Sequence, residues 1–263
     1  MASLSSSLSI GLTGLQATQS AISVVGHNIA NVNTENYTRQ RADLAARHSV
    51  TLGTLTYGSG VNVTSIEGIR DKYLELQITQ TISRNSGAST RYTGLQTVDA
   101  IFQDDETSGL STLLSNYFSA FQKLAASPED SSVRTNLVGR AQNLVDGLQT
   151  RYSMLEQQRT QANEAVNSSV DEVNTLTSEI ADLNARISSN TTANSNSDAI
   201  DQRQALVNQL AELVGIQVYT DNNNQLQVTL DSGAAVLVTG GLAATMSVQK
   251  GSGTNNDQVL VTT

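Results

Sequence analysis

The sequence predicts a mainly α fold of long amphipathic and coiled-coil helices, with a small β region near 35–70 and the start of a β domain after 216. Three observations point there: apolar residues recur every seven positions in the first thirty residues, three-four spacing runs from about 129 to 187, and strict alternation replaces helical spacing after Gly215.

Leu8, Leu15, Ile22 and Ile29 form the first seam, with Leu4, Val25 and Val32 beside it, and no Asp, Glu, Lys or Arg occurs from Ala2 to Thr34. Segment 1–34 therefore reads as an amphipathic helix whose back lacks the charges of a water-facing surface, which implies a second packing surface. Asn31, Asn33 and Asn36 break it. In the connector 35–70, the alternations Val61, Val63 and Leu52, Thr54, Thr56 around Gly58-Ser59-Gly60 read as short strands.

An elongated helical segment, 71–215, opens at about Asp71 with Tyr73, Leu74, Ile78, Ile82, Tyr92, Leu95, Val98 and Phe102. After a loop at 103–109, Leu110, Leu113, Leu114, Tyr117, Phe118, Phe121 and Leu124 form the most apolar helical face of the chain, and their spacing marks them as core. Ser127-Pro128 ends that helix and suits the start of the next. The following helix would be about 90 Å long at 1.5 Å per residue. Its seam runs through Leu137, Ala141, Leu144, Leu148, Tyr152 and Leu155 to Ile187, and the doubled step of four at Leu144-Leu148-Tyr152 reads as a stutter.

A polar linker at 188–197 precedes a shorter helix, capped by Ser197 or Asp198, that carries Leu206, Leu210 and Leu213 and is stopped by a left-handed Gly215. From 216 to 263 the period is two: Ile216 and Val218, then Leu226, Val228 and Leu230, then Val236 and Val238, separated by turns at 221–224 and Asp231-Ser232-Gly233 and ended by Gly240-Gly241. The run Val259-Leu260-Val261 leads us to expect that this β-rich segment continues past Thr263.

Composition narrows the function classes. A net charge of -9 argues against nucleic-acid binding, which needs clustered Lys and Arg, and the basic stretch Arg39 to Arg47 is diluted by Asp43. The absence of Cys removes disulfides, thiolate metal sites and cysteine nucleophiles. No basic residue follows Met1 and no apolar run approaches the roughly 18 residues of a membrane span, so neither a Sec signal nor membrane insertion is expected.

Catalytic and cofactor motifs are missing as well. No His-Glu-x-x-His, Gly-x-Ser-x-Gly or phosphate-binding glycine loop occurs, and the two histidines, His27 and His48, read as packing and loop residues. Asp104-Asp105-Glu106 reads as a solvated loop, and Asp221, Asn223 and Gln225 lack the Gly and Glu of a calcium loop. No cofactor and no enzymatic activity are expected.

The stretch Gly11-Leu12-Thr13-Gly14-Leu15-Gln16-Ala17, continuing through Asn28-Ile29-Ala30-Asn31-Val32-Asn33-Thr34 to Tyr37-Thr38-Arg39-Gln40, resembles the signature shared by bacterial rod, hook and hook-associated proteins. Glu35-Asn36 stands where the usual signature has Pro-Gly. Later stretches, Gly58-Ser59-Gly60-Val61, Ile69-Arg70-Asp71-Lys72-Tyr73-Leu74, Leu124 to Asp130, and Asp201-Gln202-Arg203-Gln204-Ala205-Leu206-Val207 to Ile216, are similar to the hook-associated protein 1 family of hook–filament junction proteins.

That resemblance implies export by the flagellar type III machinery and self-association in a helical tube between hook protein and the second hook-associated junction protein. It also implies an N-terminal helix that packs with a C-terminal one. The candidate assembly residues are Leu8, Leu15, Ile22, Val25 and Ile29 on the seam, with Asn28, Asn31, Asn33 and Tyr37 of the signature. A hook or distal-rod subunit is the alternative within this class, and an exported adhesin or enzyme the alternative outside it.

Overall fold

The computed structural model describes all residues except 1, 35, 53, 104–108, 190–195, 222–223, 252–256 and 263. The expected carboxylate loop at 104–106 therefore lies outside the described residues, as does Asn223. The elements in order are α1 (Ala2–Ala30), β1 (Gln40–Ala46), β2 (Val50–Leu52), β3 (Leu55–Tyr57), β4 (Val61–Gly68), α2 (Lys72–Phe102), α3 (Leu110–Ala126), α4 (Ser131–Ser189) and α5 (Ser197–Leu213). Six strands follow: β5 (Ile216–Thr220), β6 (Leu226–Leu230), β7 (Val236–Thr239), β8 (Leu242–Ala243), β9 (Thr245–Gln249) and β10 (Gln258–Thr262). The mainly α class and the long 59-residue helix are as the sequence predicts.

The chain forms two compact units, one of 1–85, 171–247 and 259–263, the other of 86–170 and 248–258. In the first, β1 and β4 pair antiparallel with a bulge between Asp43 and Leu44, and the short β2–β3 hairpin is nested between them. Strands β5 to β8 form an antiparallel meander in sequence order. Its turns use left-handed backbone at Asn224, Gly233 and Gly240, the residue types that tolerate positive φ. Most of the buried apolar residues come from α4 (Val173, Leu176, Ile180, Leu183, Ile187), α5 (Val207, Leu210) and the strands (Ile216, Leu226, Val228, Leu237, Val238, Met246).

Polar side chains tie these elements together. Asn184, on α4 and fully buried, donates from Nδ2 to the Leu226 carbonyl at 2.7 Å and accepts from the Leu226 amide at 3.1 Å. Asn174 makes the same two-way pairing with Met246, at 2.8 and 2.7 Å. Each primary amide stands in for a neighbouring strand's peptide group and satisfies backbone that would otherwise be stranded against a helix.

Several expectations need correction. Helix α2 opens next to Asp71, whose carboxylate accepts from the Tyr73 and Leu74 amides. Tyr73, Leu74 and Ile78, however, are exposed; the buried residue is Thr79, which bonds Asn208 and Gln204 of α5. Helix α2 has no break at Asn85-Ser86-Gly87. Helix α4 starts at Ser131 under an Asp130 cap, so Pro128 precedes it rather than opening it. Thr54 sits in the turn between β2 and β3.

Helix α5 is preceded by Asn196, whose side chain reaches the Ile187 carbonyl, while Ser197 and Asp198 bond the Ile66 carbonyl and Gln40 instead of capping. The helix ends in extended backbone at Val214, and Gly215 is not left-handed.

In the second unit, α3 turns Leu113, Tyr117, Ala120 and Leu124 inward and leaves Phe118 and Phe121 56% and 53% exposed, so only part of the aromatic cluster is core. The doubled step of four on α4 runs through other residues than Leu144, Leu148 and Tyr152. Gly147 and Arg151 continue the shielded track while Leu148 and Tyr152 face out, because Leu113 of α3 occupies the space that a side chain at Gly147 would fill. Close approach of a helix, rather than apolarity, sets which α4 residues face inward.

Candidate assembly interface

Helix α1 has two faces with opposite fates. Thr13, Ala17 and Val24 are buried, and with half-buried Ser20, Ala21 and Asn28 they make the face that packs on β1 and β4. On the opposite face Leu8, Leu15, Ile22 and Ile29 are 77%, 68%, 66% and 68% exposed, and Val25 is exposed beside them. The second packing surface implied by the uncharged back lies, in part, within the chain. At 100° per residue, positions 13, 17 and 24 lie about half a turn from 8, 15, 22 and 29.

The approach of α1 to the hairpin is tight. Thr13 Oγ1 donates to the Ile10 carbonyl at 2.8 Å and accepts from the Val61 amide at 3.3 Å. Gly60, at φ +101, lies against the same hydroxyl, and a side chain there would overlap it. Glycine is needed for the backbone angle and for the space.

At the other end of α1 the signature asparagines act locally. Asn28 donates to the Gln40 carbonyl at 2.9 Å and accepts from the Gln40 amide at 2.8 Å and from Tyr37 Oη at 2.9 Å. Tyr37 Oη also lies 3.2 Å from His27 Nδ1, with the rings edge-on, and burial followed by the nearby Asp198 charge raises its pKa. Asn31 bonds the His27 carbonyl and accepts from Thr34, whereas Asn33 is exposed. Asn36 takes φ +61 where the usual signature has glycine, a conformation asparagine adopts more readily than most residues.

Helix α5 holds this loop through residues distant in sequence. Asp201 Oδ2 accepts from the Thr38 amide at 3.0 Å and its other oxygen pairs with Arg70, whose Nη1 binds Glu75 at 2.8 Å. Gln40 donates to Asp198 at 2.8 Å. Burial lowers the Arg70 pKa against the opposing pull of Glu75. The structure thus brings Asn28, Asn31 and Tyr37 together in one bonded corner, and strings the seam residues along an open face. Residue types 163 positions apart carried no signal that they meet; the helical spacing of Thr13, Ala17 and Val24 did carry one. Among the described residues no His, Asp and Glu cluster could hold a metal ion, and no helix is long and apolar enough to cross a membrane.

The family model described as "Flagellar hook-associated protein FlgK helical domain" matches residues 95–263, and one described as "Flagella basal body rod protein" matches residues 8–38. Flagellar hook-associated protein 1 of Salmonella typhimurium is 34% identical over 234 residues, covering 88% of this chain and 42% of that protein. The Escherichia coli K12 protein of the same name is 31% identical, covering 89% and 43%. The solved structure of the flagellar hook junction protein FlgK from Burkholderia pseudomallei superposes with a TM-score of 0.63 at 29% identity, over 70% of this chain and 33% of that one. The chain spans 42% of the length of the first of these relatives. With the helical-domain model matching residues 95–263, and hence more than half of its length, the chain belongs to the flagellar hook-associated protein FlgK family.

Proposed function

We propose that this chain is a structural subunit of the bacterial flagellum, an adaptor at the hook–filament junction that assembles by helix packing after type III export and catalyses no reaction. The observation that supports this most directly is the exposed seam of α1. Its opposite, small-residue face is fixed to β4 and β1 by Thr13 and Asn28, which leaves Leu8, Leu15, Ile22, Val25 and Ile29 outward on a preformed helix. Burying each of these side chains is worth about 1.5–3 kcal/mol. Neighbouring axial subunits, with hook protein on one side and the second hook-associated junction protein on the other, are the partners that this reading gives the seam.

The double substitution L15D/I22D tests it. Filament attachment and motility are expected to be lost while the helical content of α3 and α4 is retained; normal motility in this strain would overturn the proposal. A second reading, a hook or distal-rod subunit, is favoured by the rod-protein match at 8–38. Complementation separates the two, because a junction subunit restores a strain lacking hook-associated protein 1 and not one lacking a hook or rod subunit.

A further inference from the structure

One guanidinium in the first unit is buried without using all its donors. Arg203 is 4% exposed, and its hydrogen bonds run from Nη1 alone, to Asn184 Oδ1 at 2.7 Å and to the Asn224 carbonyl at 2.8 Å. Among the described residues, Nε and Nη2 have no protein acceptor and neither nitrogen is sealed in the interior, and the Arg203 side chain lines a cavity. A buried cation ordinarily has its donors satisfied, and a guanidinium left with a free fork of two N–H groups matches an acceptor that offers two oxygens.

The cavity holds about 120 Å³, the volume of about four waters at roughly 30 Å³ each. Residues of α2 (Lys72, Glu75, Thr79), α5 (Arg203) and β5 (Val218, Thr220) line it, as does Arg70. Three nearby carboxylates each have a partner: Glu75 Oε1 accepts from Arg70 Nη1, Asp201 accepts from Arg70 and from the Thr38 amide, and Asp221 Oδ1 accepts from the Gln225 amide. Burial, and then the charge of Arg70, draw Arg203 down to about 10 against the opposing pull of Glu75 and Asp221, and the group still carries its proton at neutral pH.

We propose that this cavity binds a small oxyanion of phosphate size. Arg203 Nε and Nη2 donate as a fork to two of its oxygens, and Lys72, which is exposed at the rim, closes the site. The ligand would brace α2, α5 and β5 around a guanidinium that makes no direct ion pair among the described residues.

The test uses the full chain and inorganic phosphate, with chloride at equal ionic strength as the control. Phosphate is expected to raise the thermal unfolding midpoint above that in chloride and to shift the Arg203 Nε–H resonance, identified by its loss in R203Q. R203Q is expected to weaken phosphate binding at least about tenfold, as loss of charge-assisted hydrogen bonds does, and K72A by a smaller factor. Should R203Q fail to fold, R203K, which keeps the charge but loses the fork, takes its place. Phosphate protection no greater than that of chloride would overturn the proposal. So would an Arg203 resonance that phosphate does not move, or unchanged affinity in folded K72A.

Discussion

Thr13 and Gly60 meet with no room for a side chain between them, and this contact sets how α1 lies on the hairpin. G60A combines a left-handed backbone with a steric overlap and is expected to cost about 1–3 kcal/mol. Gly58 has open space around it and ordinary backbone, so G58A should stay within about 0.5 kcal/mol. Urea unfolding of the two variants checks this; equal midpoints would show that the contact is not tight.

Asn28 satisfies both backbone groups of Gln40 and the Tyr37 hydroxyl. N28A is expected to lose about 2–3 kcal/mol. N28D keeps the acceptor but cannot donate to the Gln40 carbonyl, so it should fall between N28A and the native chain. Hydrogen exchange at the Gln40 amide gives the local readout and should accelerate in N28A.

Asn184 serves Leu226, Gly240 and the buried Arg203 at once. Leucine fills nearly the same volume without the polar atoms, so N184L separates packing from hydrogen bonding. Both N184L and N184A are expected to destabilise by about 3 kcal/mol or more, because each strands buried backbone groups and a guanidinium. Chemical denaturation measures the loss, and a near-native midpoint for N184L would reduce the network to mere filling.

The Asp130 carboxylate accepts from the Ser132 hydroxyl and amide, and these bonds hold its pKa below the usual carboxylate value. The folded state therefore binds fewer protons than the unfolded one just below pH 3.8, the ordinary value. Its contribution is fully present above that pH and is lost as pH falls through the lowered folded pKa. D130S keeps a capping oxygen but does not titrate, so the slope of urea midpoint against pH between 2 and 4 should be shallower in D130S than in the native chain.

Two glycines of α4 should respond oppositely to alanine. At Gly147 the new methyl overlaps Leu113, so G147A is expected to lose about 1–3 kcal/mol and to loosen α3. Gly139 has nothing within 4 Å, and G139A should gain about 0.5–1 kcal/mol through helix propensity alone. Thermal unfolding distinguishes the signs.

The sequence by itself determined which segments are helical and where the period changes to two, because backbone preference and side-chain spacing act over a few residues. The 59-residue α4, the break after Ala30 and the turns at Gly233 and Gly240 follow from such local rules. The seam of α1 was legible too, as a heptad without charge. What only the tertiary structure decided is which face of each helix is covered. Thr13, Ala17 and Val24 went inward on α1 because small side chains allow the hairpin to approach, and Gly147 displaced Leu148 on α4 for the same reason. Asn28, Asn174 and Asn184 look alike in a polar-rich sequence. Each became a clip only because a strand's unpaired amide and carbonyl arrived beside it, and that meeting depends on contacts 12, 72 and 42 residues apart.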